Sequence, residues 1–314
     1  MRAMTKTLKC RTWVISAVLA LLIPFWWIVI MQLHLSMLGT KVGELYSEIQ
    51  DTHTFVREFI SAFKNSDIVD LEIREYYTYP ESQVNRLNKL SQEDEKLIEH
   101  IRKNLLIPPK VNGSLPIKDT SKGQSAKILE HFKNKTGGYF IECGAMDGYM
   151  LSNTRLLETQ NNWTGLLIEA DPKNFAALKK SDRNCTLLPT CLSLKKHPMM
   201  VNFSSHTAWS KITSEEPGFK VHCMPLFSIL KALNRPTIDF FSLDIEGNEL
   251  DVLRTLPFDE VDIKTFAIEH SNIKEGREHL LEFMLKQGYY QLPSTEKERG
   301  YNKWAQEDYI FIKK

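Results

Sequence analysis

The chain has little of what would mark it as a specialised class. Five cysteines in 314 residues are too few for a small disulfide-stapled scaffold. Glycine and proline, at 14 and 13 residues, have neither the abundance nor the period of a collagen-like chain. Charge of one sign is not in excess: 40 Lys+Arg face 39 Asp+Glu, a formal net charge of +1. That balance gives no basic footprint for nucleic acid and none of the charge excess that keeps a chain disordered. A Walker loop, a zinc cluster and a Ser-His-Asp triad are also missing, and the sequence reading assigns no metal.

Long apolar runs are scarce as well, with one exception. Trp13 to Met31 is a 19-residue run without charge, interrupted only by Ser16 and Pro24. At the helical rise it reaches about 28 Å, close to the hydrocarbon thickness of a bilayer. Arg2, Lys6, Lys9 and Arg11 precede it without an acid, and Lys41, Glu44, Glu48 and Asp51 follow. The positive-inside rule then leaves the N-terminus cytosolic and the rest luminal or outside. A signal peptide has a shorter apolar core and a small-residue cleavage site. Gln32 to Gly39 offers none, so the reading is an uncleaved type II anchor. Sequons at Asn112, Asn134, Asn162, Asn184 and Asn202 fit a luminal position. Cys143, Cys185, Cys191 and Cys223 all fall on that side. Cys143 lies in an apolar run and reads as a buried thiol, and a pairing of Cys191 with Cys223 or Cys185 is left open.

Beyond the anchor, Leu38, Val42, Leu45, Ile49, Val56, Phe59 and Phe63, with Thr52 in one slot, alternate at spacings of 4 and 3. This heptad seam predicts either a parallel homodimeric stem over residues 38–63 or an amphipathic helix packed on its own domain or the membrane. A further helix is expected around Glu93 to Leu105, stopped at Ile107-Pro108-Pro109. The expected organisation is a cytosolic tail 1–12, a transmembrane helix 13–31, a luminal helical stem and linker 32–115, and an α/β domain 116–314.

That domain alternates strand and helix. Strands are expected at 138–143, 164–170, 185–192, 238–244, 264–270, 288–292 and 308–312. Helices are expected near 152–158, 172–180, 248–256 and 275–287. Such alternation means βαβ units and a mostly parallel sheet. In open α/β sheets the ligand lies beyond the carboxyl ends of the strands. The first strand ends in Glu142-Cys-Gly144-Ala-Met-Asp147-Gly148, where glycine permits a tight turn and close approach of a ligand. The second ends in Glu169-Ala-Asp171-Pro172. An acid there can accept bonds from both ribose hydroxyls of a nucleoside cofactor, although Asp171 could equally cap the next helix. The strand at 238–244 ends in Asp244-Ile-Glu246-Gly247. Two carboxylates two apart on a strand would share a face and raise one pKa, suiting a general base or a substrate-binding pair. His270, after Glu269, is a further candidate base.

These residues carry a resemblance. YFIECGAMDG at 139–148, SNTRLL at 152–157, NWTGLLIEADP at 162–172, TCLS at 190–193 and FSLDIEGNELDVL at 241–253 together resemble FkbM-type methyltransferase domains. More narrowly they are similar to the arthropod branch that includes the membrane-anchored Star protein. The resemblance implies a class I, Rossmann-type methyltransferase fold using S-adenosylmethionine. It puts Glu142, Gly144 and Gly148, with Asp147 in the same turn, around the methionine moiety and Glu169 on the ribose. Asp244, Glu246 and Gly247 take the place of the family's fourth-strand motif. For function, the Star-like resemblance implies a luminal escort that moves cargo such as EGF-type ligands from the endoplasmic reticulum to Golgi and endosomes. The alternative is an S-adenosylmethionine-dependent O-methyltransferase acting on a luminal glycan or a small hydroxylated acceptor.

Overall fold

The computed structural model describes Tyr77 and residues 80–110, 117–204, 212, 218–293 and 308–314. The expected tail 1–12, membrane span 13–31 and stem seam 38–63 lie outside the described residues. Among the described residues no helix is long and apolar enough to cross a membrane. The chain divides into compact units at 1–66 and 67–314, and all the described residues fall in the second.

Seven strands form the main sheet: β1 (Tyr139–Cys143), β2 (Thr164–Ile168), β3 (Thr186–Leu188), β6 (Ile238–Leu243), β7 (Ile263–Glu269), β8 (Tyr289–Gln291) and β9 (Asp308–Lys313). Their order is β3-β2-β1-β6-β7-β9-β8. The five strands from β3 to β7 are parallel, and β9 runs antiparallel to both β7 and β8. A short hairpin, β4 (Met199–Ser204) with β5 (Gly218–Cys223), stands apart as a second sheet.

Side-chain alternation decides the layering. Ile141, Leu166, Ile168, Phe241, Leu243, Phe266 and Ile268 point into one apolar cluster. Their chain neighbours Phe140, Leu167, Phe240 and Ala267 point into another on the opposite face. A strand buried on both faces reads as a continuous apolar run, which is why β1, β2 and β6 are so easily seen in the sequence. The first cluster is closed by helices α1 (Glu81–Leu87), α2 (Glu95–His100), α6 (Leu226–Leu233), α7 (Glu249–Leu253) and α8 (Arg277–Lys286). The second is closed by α3 (Gln124–His131), α4 (Arg155–Asn161) and α5 (Pro172–Lys180).

Three features differ from the sequence reading. Residues 81–105, assigned there to the stem, belong to the packed domain: Leu87, Leu97, Ile98, Ile101 and Leu105 are all buried against the sheet. The helix expected over 93–105 is α2 followed by a π-helical turn, Ile101–Leu105. The third strand is only Thr186–Leu188, and the hairpin β4–β5 and helix α6, which the reading left unassigned, follow it. A disulfide between Cys191 and Cys223, with Cα atoms 4.4 Å apart, ties the end of β5 to the segment after β3. Cys143 and Cys185 are free and buried.

Candidate functional site

The strand register builds the site. Cys143 pairs with Ile168 on one side and Leu243 on the other, and Leu243 pairs with Ile268. The residues that follow, Gly144, Glu169, Asp244 and Glu269, therefore come out along one edge of the sheet. Chain order reverses between β1 and β6, so the crevice outside these two strand ends is the switch point where open α/β sheets bind ligands. A cavity of about 660 Å³, counting its open mouth, lies there. Gly144, Glu169, Asp244 and Glu246 line it, and the hairpin adds Phe203 as a wall.

Gly144 has φ +83°, and a Cβ there would overlap the Asp244 carbonyl oxygen. Only glycine lets the ends of β1 and β6 come this close. Glu169 is buried, and each of its oxygens takes one backbone N–H, from Met146 at 2.7 Å and from Asp171 at 2.7 Å. A carboxylate offers about four lone-pair sites, so each oxygen keeps one for another donor.

The other expected site residues are elsewhere. Glu142 does not line the cavity. It accepts from Ser152 Oγ at 2.8 Å, Asn153 N–H at 2.7 Å and Thr154 Oγ1 at 2.6 Å, and so anchors the loop before α4. Asp147 caps a turn through the N–H groups of Tyr149 and Met150. Gly148, at φ +80°, is packed against α5, where a Cβ would meet Leu178 at 2.6 Å. Asp171 is the N-cap of α5, accepting from the N–H groups of Lys173 and Asn174 ahead of Pro172 at the first helical position. His270 packs on Tyr309 with ring centroids 4.1 Å apart and the rings tilted by 45°, and it does not line the cavity. The Asp244–Glu246 pair also differs from expectation. The strand stops at Leu243 and Glu246 has φ +60°, so the two acids reach the cavity from a turn and not from one strand face. The lining also includes Asn174 and Thr190, which carry no local signal of a site, and Phe203 and Ile212, which β4 and its bridge bring in and which no local pattern marks.

Residues 142–290 match the family model for the methyltransferase FkbM domain. The match spans just under half of the chain, and it is a likeness to that domain. With the mostly parallel sheet it makes a methyltransferase-like α/β fold. No curated protein matches the chain. Among solved structures, the chain is similar to the METTL16 methyltransferase domain, at 12% identity and TM-score 0.38, covering 79% of this chain and 93% of that one. It is also similar to a precorrin-6y C5,15-methyltransferase from Geobacter metallireducens, at 11% identity and TM-score 0.35, covering 64% and 92%. A third is M. capricolum TrmK in complex with S-adenosyl-homocysteine, at 10% identity and TM-score 0.33, covering 62% and 68%.

Three acids at this crevice are shifted upward from the ordinary carboxylate range. Burial is the first cause that pushes the Glu169 carboxyl up to about 8 and the Glu249 carboxyl up to about 7. Asp244 has surface open to the cavity, yet its carboxyl lies in a crowded recess. That recess, and then the like charges of Asp308, Glu246, Glu269 and Glu249, raise it well above the usual range. A raised carboxyl means that the folded chain keeps a proton the unfolded chain releases near pH 4.5. The stability it lends is full below that pH and is lost as pH rises through the folded value. His100, His131 and His222, lowered by burial, oppose the trend in part, because their unfolded forms still release protons just above pH 6.5. We expect the full chain in metal-free buffer to melt about 3 °C lower at pH 8 than at pH 6.5, since the buried Glu169 and Glu249 each contribute up to about 1.4 kcal/mol per pH unit below their folded values. Thermal unfolding of the wild type and Glu249→Gln checks this, and the variant should show a flatter dependence.

Proposed function

We propose that the FkbM-like domain is an S-adenosylmethionine-dependent methyltransferase acting on an acceptor hydroxyl. The observation that carries this reading is the placement of the Gly144 turn and the Glu169 carboxylate side by side at the β1/β6 switch, within the stretch that matches the family. The residues present suit the cofactor. The Gly144 turn lines the cavity and lets the ends of β1 and β6 close up behind it, and Glu169 stands at the distance along the chain where an acid holds a ribose. When bound, S-adenosylmethionine supplies an electrophilic methyl group on a positively charged sulfur. Asp244 and Glu246, across the cavity from Glu169, give that charge an acidic wall. They are also the groups placed to accept the proton of an acceptor hydroxyl.

The compartment is part of the proposal. The Cys191–Cys223 disulfide supports an oxidising environment, in keeping with a lumen-facing domain behind the 13–31 anchor. Asn134, Asn162 and Asn184 are all exposed, as glycan-bearing residues must be. A luminal glycan or a small hydroxylated molecule is the acceptor class. No residue of the cavity argues for escort of EGF-type cargo, and that Star-like role is the reading left standing if the cofactor does not bind.

Calorimetric titration of the purified full chain with S-adenosylmethionine tests the proposal. Saturable binding is expected. Glu169→Ala should weaken it about 10- to 100-fold, the worth of two hydrogen bonds to a buried carboxyl at about 0.5–1.5 kcal/mol each. Glu169→Gln, which keeps the shape, should recover part of the loss. Absence of heat at millimolar ligand would sink the enzyme.

A further inference from the structure

The ends of β6 and β7 bring together three carboxylates from three separate places in the chain. Asp244 follows β6, Glu249 opens α7 and Glu269 ends β7. Each offers an oxygen within 4.8 Å of the oxygens of the other two. Asp244 is reachable from the cavity, while Glu249 and Glu269 are buried at 0% and 6% exposure. Glu249 is the telling member. Its Oε1 accepts from the N–H groups of Ile245 at 2.8 Å and Gly247 at 3.1 Å, which aims the carboxyl back across the turn. Its Oε2 is buried with no hydrogen-bond partner among the described residues. A buried carboxylate oxygen without a donor is costly and calls for a ligand. Among the described residues no lysine or arginine forms an ion pair with Asp244 or Glu249.

We propose that Asp244, Glu249 and Glu269 bind a hard divalent cation, of the Mg²⁺, Ca²⁺ or Mn²⁺ kind, at the inner edge of the cavity. The donor set is all carboxylate oxygen, which is what such ions select over softer metals. Three carboxylates leave coordination positions open for water or for ligand oxygens entering from the Asp244 side. The turn is built to hold this geometry: Gly247 has φ +103°, and a Cβ there would overlap the Asn272 carbonyl oxygen. Asn272 Nδ2 in turn donates to Glu246 at 2.8 Å. Protons are the competing occupant, consistent with the raised carboxyls of Asp244 and Glu249. The site stands on these residues alone and does not depend on the methyltransferase reading.

The test uses the metal without cofactor. The full chain is stripped with chelator and titrated with Mn²⁺, following the free ion by electron paramagnetic resonance. One Mn²⁺ per chain is expected, with a Kd on the order of tens of micromolar or tighter. Glu249→Gln retains the Oε1 acceptor for Ile245 and Gly247, so the fold is kept while the unpartnered anionic oxygen is lost. It should weaken binding at least tenfold, and Glu269→Gln should do the same. Asp262→Asn, at the opposite end of β7 where Asp262 is paired with Lys264 and Lys313, should bind Mn²⁺ as the wild type does. No saturable binding at 1 mM Mn²⁺, or wild-type affinity in both the Glu249 and Glu269 variants, overturns the site. Because S-adenosylmethionine is absent throughout, failure here leaves the cofactor titration untouched, and the reverse holds too.

Discussion

Gly144→Ala should remove cofactor binding and destabilise the domain by about 2–5 kcal/mol, combining the cost of a left-handed alanine with an overlap that must push backbone aside. The reason lies in the meeting of two strand ends. Gly144 and Ala145 both donate to the Ile168 carbonyl at 3.1 Å, and Asp244 N–H donates to the Cys143 carbonyl at 3.2 Å. A methyl group on Gly144 would overlap the Asp244 carbonyl, a backbone atom that cannot rotate away. The ends of β1 and β6 would have to separate, and the cavity between them would change shape. Gly288→Ala supplies the control. Gly288 has a similar φ of +85° but nothing near its Cβ position, so that variant pays only the conformational cost of about 1 kcal/mol. Thermal unfolding and S-adenosylmethionine titration of both variants check the prediction. Equal losses of stability would show that the close approach at Gly144 is not what the position requires.

Arg183→Leu should cost about 3–5 kcal/mol, the range for a buried pair that loses one partner. The Arg183 side chain has no exposed surface. Its Nε donates to Glu158 at 2.5 Å and its Nη1 to the Gly148 carbonyl at 2.7 Å. The same Nη1 reaches Ser152 Oγ at 3.0 Å, and Nη2 donates to Thr154 Oγ1 at 2.9 Å. Glu142 lies 3.7 Å away and is only 5% exposed. Leucine would leave two buried carboxylates without their cation and release the loop that follows Gly148. Urea unfolding should show a lower midpoint. Adding Glu158→Gln to Arg183→Leu should restore part of the loss, because it removes one of the stranded charges. Strict additivity of the two substitutions would mean that the network is not coupled.

The strands of the sheet centre were legible because they are buried on both faces. Phe140, Ile141, Leu166, Leu167, Phe240 and Phe241 are all 0% exposed, and such runs need no partner to be recognised. Helix α5 was equally clear, since Asp171 and Pro172 form a start signal that acts within four residues. The glycine after β1 and the acid after β2 both line the cavity. They mark places where the backbone or a strand end has a local requirement.

What depends on distant neighbours was not legible. Glu142 reads like a cofactor ligand, but its partners Ser152, Asn153, Thr154 and Arg183 lie 10 to 41 residues further on. The hairpin β4–β5 is marked by no two-residue turn. Its pairing across the intervening chain, and the choice of Cys223 as the partner of Cys191, come from packing. Glu249 gave no sign at all: it looks like an ordinary acid in a first helical turn, and only the register of β6 beside β7 sets it against Asp244 and Glu269. The sequence by itself determined the central strands, their alternation with helices and the placing of Gly144 and Glu169 at strand ends, because periodicity and backbone conformation are local properties. The tertiary structure decided which acids face the cavity, which hold the scaffold and which meet one another, because charge acts through space and the chain brings its partners from far apart.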